Sequence, residues 1–329
     1  MTSPTDLLDR ALAPLQASIE ARKIPGGVLG IVDAGGQRAV RSIGSAQLVP
    51  ERRPMTDDTW FDLASLTKVI FTTTRILAHA AAGRIDLDAP LTTLIPDFVQ
   101  YNVDNWQRKV TFRQCLGHQT PFPGVFPLYT YGSDPNLLRA FLLQHDWPAG
   151  PAVYSDLNFI LLGIALERLE QRSIREMDPG TGFAWFANPM HAAATEQDPW
   201  RGRVICGEVH DENCYALHGS GHAGLFGTAA ALLDFAHGLL SGKGDPLIRT
   251  PLGDKRTHGW ERPYIGWSGG DHCSRDTIGH TGFTGTGLWV DFAAGRAWTL
   301  LTNRVHPTRH FDSGIVALRR AVGDSINGG

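Results

Sequence analysis

Cysteine is scarce, neither sign of charge dominates, and no stretch is both long and apolar. The 329 residues include only four cysteines, Cys115, Cys206, Cys214 and Cys273. That is too few for a disulfide-stapled scaffold, so free, mostly buried thiols are expected. No run approaches the roughly 18 apolar residues that a membrane-spanning helix requires. Thirty basic residues face thirty-three acidic ones, for a formal charge of −3. Without a basic patch, nucleic acid and membrane surfaces are excluded as natural partners. The N-terminus lacks the basic segment and apolar core of a signal peptide. Leu7, Leu8, Leu12 and Leu15 follow helical spacing there with charges between them, so an amphipathic helix and a cytoplasmic protein are expected.

What remains is a globular composition, 42% hydrophobic and 19% charged. The stretch "GGVLGIVDAGGQRAVRSIGSAQ" alternates apolar and polar residues around a Gly-Gly turn, a hairpin signature. Near the other end, "GTGLWVDFAAGRAWTLLTN" reads as two strands around "DFAAGR", followed by an amphipathic helix through Val316, Leu318 and Val322. Helical patterns fill the middle, among them "VIFTTTRILAHAAAGR", "NLLRAFLLQ", "LNFILLGIALERLEQR" and "AALLDFAHGLL". No repeat, low-complexity tract or flexible linker divides the chain. The expected fold is α/β (α+β): an antiparallel sheet built from the N- and C-terminal segments, flanked by helices, with an inserted, mostly helical lobe. One domain over residues 1–329 is expected, with a sheet lobe near 1–64 and 262–329 and a helical lobe near 65–261. A cleft between the lobes is the natural place for a ligand.

Three short segments carry chemistry. In "FDLASLTKVIFTTT", a helix starting near Ala64 puts Ser65 in its first turn and Lys68 one turn later on the same face. The free amides and positive end of that helix favour an alkoxide at Ser65. Lys68 either takes the hydroxyl proton or stabilises the charge that develops. In isolation the pair is equally a serine cap beside an exposed lysine. "GPAVYSDLNFILLG" is a loop that delivers Tyr154 and Asp156 into the start of an apolar helix, with Ser155 or Asp156 as its cap. A tyrosine needs a cation beside it to carry protons near neutral pH, since its ordinary pKa is about 10. "IGHTGFTGTGLWV" is a strand crowded with Gly279, Gly282, Gly285 and Gly287, which implies close approach by a ligand or another backbone. Its edge amides suit an oxyanion hole shared with the amide of Ser65. Cys206, His210, Asp211, Cys214, His218 and His222 also cluster in sequence, but with neither the two-residue cysteine spacing of zinc sites nor a His-Glu-x-x-His helix. No metal and no organic cofactor are expected.

The order Ser-x-x-Lys, Tyr-Ser-Asp, His-Thr-Gly at positions 65, 154 and 280 resembles the serine β-lactamase and penicillin-binding-protein superfamily, in particular the class C β-lactamase-related hydrolases. Segments such as "GRIDLDAPLTTLIPDF", "VTFRQCLGH" and "VHDENCYALHGSGHAGLFGTAAALLDFA" extend the likeness over nearly the whole chain. The resemblance implies that Ser65 is the acylated nucleophile, Lys68 its proton partner, and Tyr154 the group that shuttles the proton to the leaving group. It further implies an oxyanion hole of the Ser65 and Phe283 amides, with Asp156, His280, Thr281 and Gly282 along the substrate.

Two departures qualify this expectation. The middle triplet usually ends in Asn, whereas a carboxylate at Asp156 favours a charged Lys68 and moves proton duty towards Tyr154. His280 stands where a lysine often lies, and a mostly neutral imidazole holds a substrate carboxylate less well. The turn "GHQTPFPG" departs from the usual His-Thr-Ser-Gly. The resulting expectation is a serine hydrolase acting on an ester or amide, with cell-wall-derived muropeptides or other small amides as substrates. A small-molecule carboxylesterase, a β-lactamase, a catalytically idle peptidoglycan-fragment binder and a metallohydrolase using residues 206–222 are its rivals.

Overall fold

The computed structural model describes residues 2–328. Six strands form one antiparallel sheet in the spatial order Arg53–Pro54, Arg38–Gln47, Gly26–Asp33, Arg296–Thr302, Thr286–Asp291 and Thr277–Thr281. The two chain ends therefore meet at its centre, where Gly27 pairs with Thr302 and Asp33 with Arg296. Both faces are covered, and the period-two alternation of strand side chains sorts residues between them. Val28 and Val32 point into the large core shared with the helical part, while Leu29 and Ile31 point outward. On that outer side, the helices Pro4–Glu20 and Ile315–Asn327 pack Leu8, Leu15, Leu318 and Val322 against Trp289, Trp298 and Leu300.

The final helix departs from the pattern expected for it. Val316 is 58% exposed, and the buried stripe runs through Ile315, Leu318, Arg319, Val322 and Ile326 instead. Arg319 belongs there because its Nη2 donates to the carbonyls of Gly282 and Thr286, each at 2.7 Å. Helix Ala229–Leu240 also differs from a simple two-lobe division, since it lies directly on the inner face of the sheet. Leu233 packs so closely against Gly30 that a β-carbon there would meet its Cδ1 at 3.0 Å.

The strand Thr277–Thr281 is an edge, but only part of it is open. Gly279 exchanges two 2.9 Å backbone hydrogen bonds with Glu261. Two residues further along, Thr281 turns the same backbone edge outward, and there the cleft begins. Gly282 follows, packed so tightly that a β-carbon would meet Thr286 Oγ1 at 2.1 Å and the Leu63 carbonyl at 2.5 Å. What approaches closely is thus the chain carrying Ser65, not a ligand.

The helix Asp156–Glu170 is apolar on nearly every side and is buried accordingly. Gly163 lets the Gly221 loop lie against it; a β-carbon at Gly163 would meet the Gly221 nitrogen at 2.6 Å. That loop delivers His222 to the site. Gly163→Ala is expected to lose about 1–3 kcal/mol through overpacking. Urea unfolding checks this, and an unchanged midpoint would show that the loop adapts freely.

Candidate active site

Ser65 sits on a tight turn rather than in the first turn of a regular α-helix. Ala64 before it has φ of 47°, and the next three amides reach back only three residues, as in Lys68 N–H to the Ser65 carbonyl at 3.1 Å. The chain then widens into a π-helical stretch, Lys68–Thr73, before the α-helix Thr74–Ala81. Three-residue hydrogen bonds bring side chains i and i+3 into line. Lys68 Nζ accordingly donates to Ser65 Oγ at 2.8 Å. The turn is pinned from below, where Asp62 accepts from the amides of Ala64 at 2.8 Å and His210 at 2.6 Å. Thr286 Oγ1 donates to the Leu63 carbonyl at 3.0 Å, tying the turn to the sheet.

Lys68 is 0% exposed, whereas Ser65 is partly open. Its ammonium lies 2.8 Å from Asp156 Oδ1, off the axis of a hydrogen bond, and donates to the His222 carbonyl at 3.2 Å. Burial alone would depress the lysine pKa, but Asp156 and Tyr154 outweigh it and raise the pKa above its ordinary value. Asp156 is held in place because Ser155 caps its helix, accepting from the Leu157 amide at 3.2 Å. The Tyr154 ring lies 5.2 Å from Lys68 Nζ and stacks on His118, centroids 4.3 Å apart.

Three unpaired polar atoms gather around that tyrosine. His118 Nδ1 accepts from the Ser155 amide at 3.1 Å, so a neutral ring carries its proton on Nε2. His280 Nδ1 lies 3.0 Å from the Thr281 carbonyl and must donate to it, which leaves Nε2 as an acceptor. Burial, with Arg256 and Lys68 nearby, holds both imidazoles well below their usual range. Arg256 is anchored by Glu261 at 3.1 Å and lies 4.9 Å from the Tyr154 ring centre. His118 Nε2, His280 Nε2 and Arg256 Nη1 are all buried without a protein partner. His280, at 2% exposure, is a wall residue beneath the strand rather than a side chain reaching into solvent.

On the other side of Ser65 lies Phe283, 48% exposed, its carbonyl fixed by Arg304 Nε at 2.7 Å. Among the described residues, neither the Ser65 nor the Phe283 amide donates to a protein carbonyl. The Phe283 ring stacks on His210 at 5.7 Å, and His210 is itself held by Glu196 at 2.8 Å. Arg309 joins them, donating to Glu196 at 2.5 Å and to Glu212 at 2.6 Å.

The structure thus gathers Ser65, Lys68, Tyr154, Asp156, His280, Thr281, Gly282 and Phe283 along one cleft. The cysteines and histidines of 206–222 do not come together. Cys214 faces the Ala223 carbonyl, Cys206 lies beside Arg53, and His218 is exposed. Asp211 and His222 instead join Asp156, their ligand-capable atoms within 4.8 Å of one another. Asp211 is already bonded to His222 at 2.9 Å, and Asp156 lies 2.8 Å from the Lys68 ammonium. Sequence reasoning missed Asp62, His118, Asp211 and Arg256 as parts of the site. His118 had a signal in its unusual turn and Asp62 in its place three residues before the serine, whereas Arg256 lies in a stretch with no motif.

An antiparallel sheet made of both chain ends, a helical insert, and a serine bonded to a buried lysine in the cleft between them define a serine hydrolase of β-lactamase type. The β-lactamase family model matches residues 8–322, and the chain belongs to that family. It is 31% identical to the N-acetylmuramyl-L-alanine amidase of Bacillus subtilis (strain 168), over 78% of this chain and 70% of that one. Among solved structures, EstCE1, a hydrolase with promiscuous acyltransferase activity, superposes with a TM-score of 0.75 at 18% identity, covering 99% of each chain. A class C β-lactamase from Rhodobacter sphaeroides gives 0.74 at 18% identity, covering 97% of this chain and 99% of that one.

Asp156→Asn removes the main group that keeps Lys68 charged and leaves Tyr154 alone to oppose burial. The lysine pKa should then fall from its raised value, moving the alkaline limb of the acylation rate to lower pH. Single-turnover pH profiles of both proteins check this. Superimposable profiles would mean that Asp156 does not govern the Lys68 charge.

Proposed function

We propose that this protein cleaves the amide joining a muramyl acyl group to a peptide, through an acyl-serine intermediate. The contact of Ser65 Oγ with the Lys68 ammonium at 2.8 Å, beneath the Tyr154 ring, is the observation that carries this reading. Lys68 is held protonated, so it steadies negative charge and leaves the proton transfers to Tyr154. Ser65 Oγ attacks the carbonyl carbon and its proton passes to Tyr154, acting as the phenolate beside the Lys68 ammonium, while the carbonyl oxygen takes up charge facing the Ser65 and Phe283 amides. As the C–N bond breaks, Tyr154 returns that proton to the departing amine. Water then attacks the ester, loses a proton to Tyr154, and Ser65 recovers it as the acid leaves.

Two things support a muropeptide over other acyl donors. The Bacillus subtilis relative is named for an N-acetylmuramyl-L-alanine bond. Arg256 also supplies the fixed cation that the strand motif lacks, with a buried, unpartnered Nη1 beside the residue that protonates the leaving group. A peptide leaving group carries carboxylates for it to hold. Relative turnover of a muramyl peptide, a p-nitrophenyl ester and nitrocefin separates the amidase from the esterase and the β-lactamase.

Ser65→Ala should lower turnover by roughly 10⁴-fold or more with unchanged circular dichroism, and a fluorophosphonate should label Ser65 in the parent protein by mass spectrometry. Absence of the adduct would favour the idle binder. Arg256→Gln is expected to raise KM about tenfold, the loss of one charge-assisted hydrogen bond, for substrates with a leaving-group carboxylate relative to their amidated counterparts. An equal effect on both would remove Arg256 from carboxylate recognition.

A further inference from the structure

Past His210, which stacks on Phe283, lies an aromatic shelf with no role in the acyl-transfer chemistry. Trp200 is 49% exposed, with the Tyr129 ring 4.9 Å away and Tyr215 edge-on at 5.9 Å. An exposed indole on a mobile loop would mean little, but this one is bolted down. Its amide donates to Asp198 Oδ1 at 2.7 Å. Beneath it lies the Arg201 guanidinium, 5.8 Å from the Trp200 ring and 4.9 Å from Tyr215. Arg201 is itself buried and fully engaged, with Asp198 at 2.5 Å and the carbonyls of Val209 and His210 at 2.7 and 2.6 Å.

The last of those bonds is the link to the chemistry. His210, whose carbonyl holds Arg201, stacks its ring on Phe283, and in the proposed mechanism the Phe283 amide receives the charge of the reacting carbonyl. The shelf is therefore linked, through Arg201 and His210, to Phe283, whose amide belongs to the oxyanion hole of the proposed mechanism. Rigid aromatic rings with one face in water and polar groups at their edges suit a ligand that is itself apolar on one face and polar at its rim. A pyranose ring is such a ligand: its axial C–H bonds form an apolar face, and its hydroxyls and acetamido group project from the edge. A flexible peptide lacks that flat, preorganised face.

We propose that Trp200 and Tyr129 form a sugar subsite that stacks the pyranose ring of the acyl donor. This rests on the amidase reading, in which the saccharide belongs to the acyl half and the peptide departs past Tyr154 and Arg256. Trp200 and Tyr129 are specificity residues here; they touch substrate remote from the bond that breaks.

The test separates this subsite from the amidase reading itself. Tryptophan fluorescence of the Ser65→Ala protein is titrated with N-acetylmuramyl-L-alanyl-D-isoglutamine and, in parallel, with the same dipeptide without sugar. A saturable change is expected with the saccharide, at least tenfold weaker or absent with the bare dipeptide, and lost in Trp200→Leu. In the otherwise unaltered enzyme, Trp200→Leu and Tyr129→Leu should each lower kcat/KM for the muramyl peptide at least tenfold more than for p-nitrophenyl acetate. Equal binding of sugar-bearing and bare dipeptide, or a kcat/KM loss shared equally by both substrates, overturns the subsite. Should the saccharide bind in a Trp200-dependent way without turnover of the muramyl peptide, the subsite stands and the amidase reading falls. Should turnover proceed with Trp200→Leu unchanged in both assays, the reverse holds.

Discussion

A buried ammonium is the constraint on which the rest of this cleft depends. Water cannot reach the Lys68 side chain, so its charge must be met by fixed protein groups or be given up. The Asp156 carboxylate, the His222 carbonyl and the Ser65 hydroxyl meet it, each supplied by a different part of the chain. Removing one partner of such a pair typically costs about 3–5 kcal/mol, because the other charge is left buried alone. The helix cap at Ser155 and the Gly163–Gly221 contact keep those partners in place. The ammonium in turn orients the Ser65 hydroxyl and sits beside the Tyr154 ring.

Charge also explains the two neutral histidines. With Lys68 and Arg256 fixed as cations, further positive charge in the same small volume is opposed by repulsion and by burial together. His118 and His280 consequently serve as a donor and an acceptor of fixed polarity, set by the backbone groups to which their Nδ1 atoms bond. A lysine in place of His280 would bring its charge close to Lys68. The fixed cation beside Tyr154 is instead Arg256, which Glu261 anchors outside the strand.

The parts of this fold that repeat with a period were legible in the sequence. Alternation in the hairpin after Pro25 sorts its residues between two cores, and the nearly unbroken apolar run after Asp156 matches a helix buried on nearly every side. Ser65, Lys68 and Tyr154 were legible because their residue types and order form a rare combination. Val316 was misjudged since an apolar residue reads as buried, whereas the stripe needed Arg319 to bond the carbonyls at Gly282 and Thr286. The turn at Ser65 was misjudged because a left-handed Ala64 and a π-helical stretch are imposed by tertiary hydrogen bonds from Asp62 and Thr286. Arg256 and Trp200 matter only through neighbours distant in the chain, which no local pattern reveals.

The guanidinium of Arg319 clasps the turn that carries Phe283, although it belongs to the last helix. The nucleophile, by contrast, is laid down early in the chain. During synthesis Ser65 and Lys68 must therefore wait until some 250 later residues have left the ribosome before the wall opposite them can be braced. This corner of the site therefore reaches its final form only once the last helix has docked on the sheet.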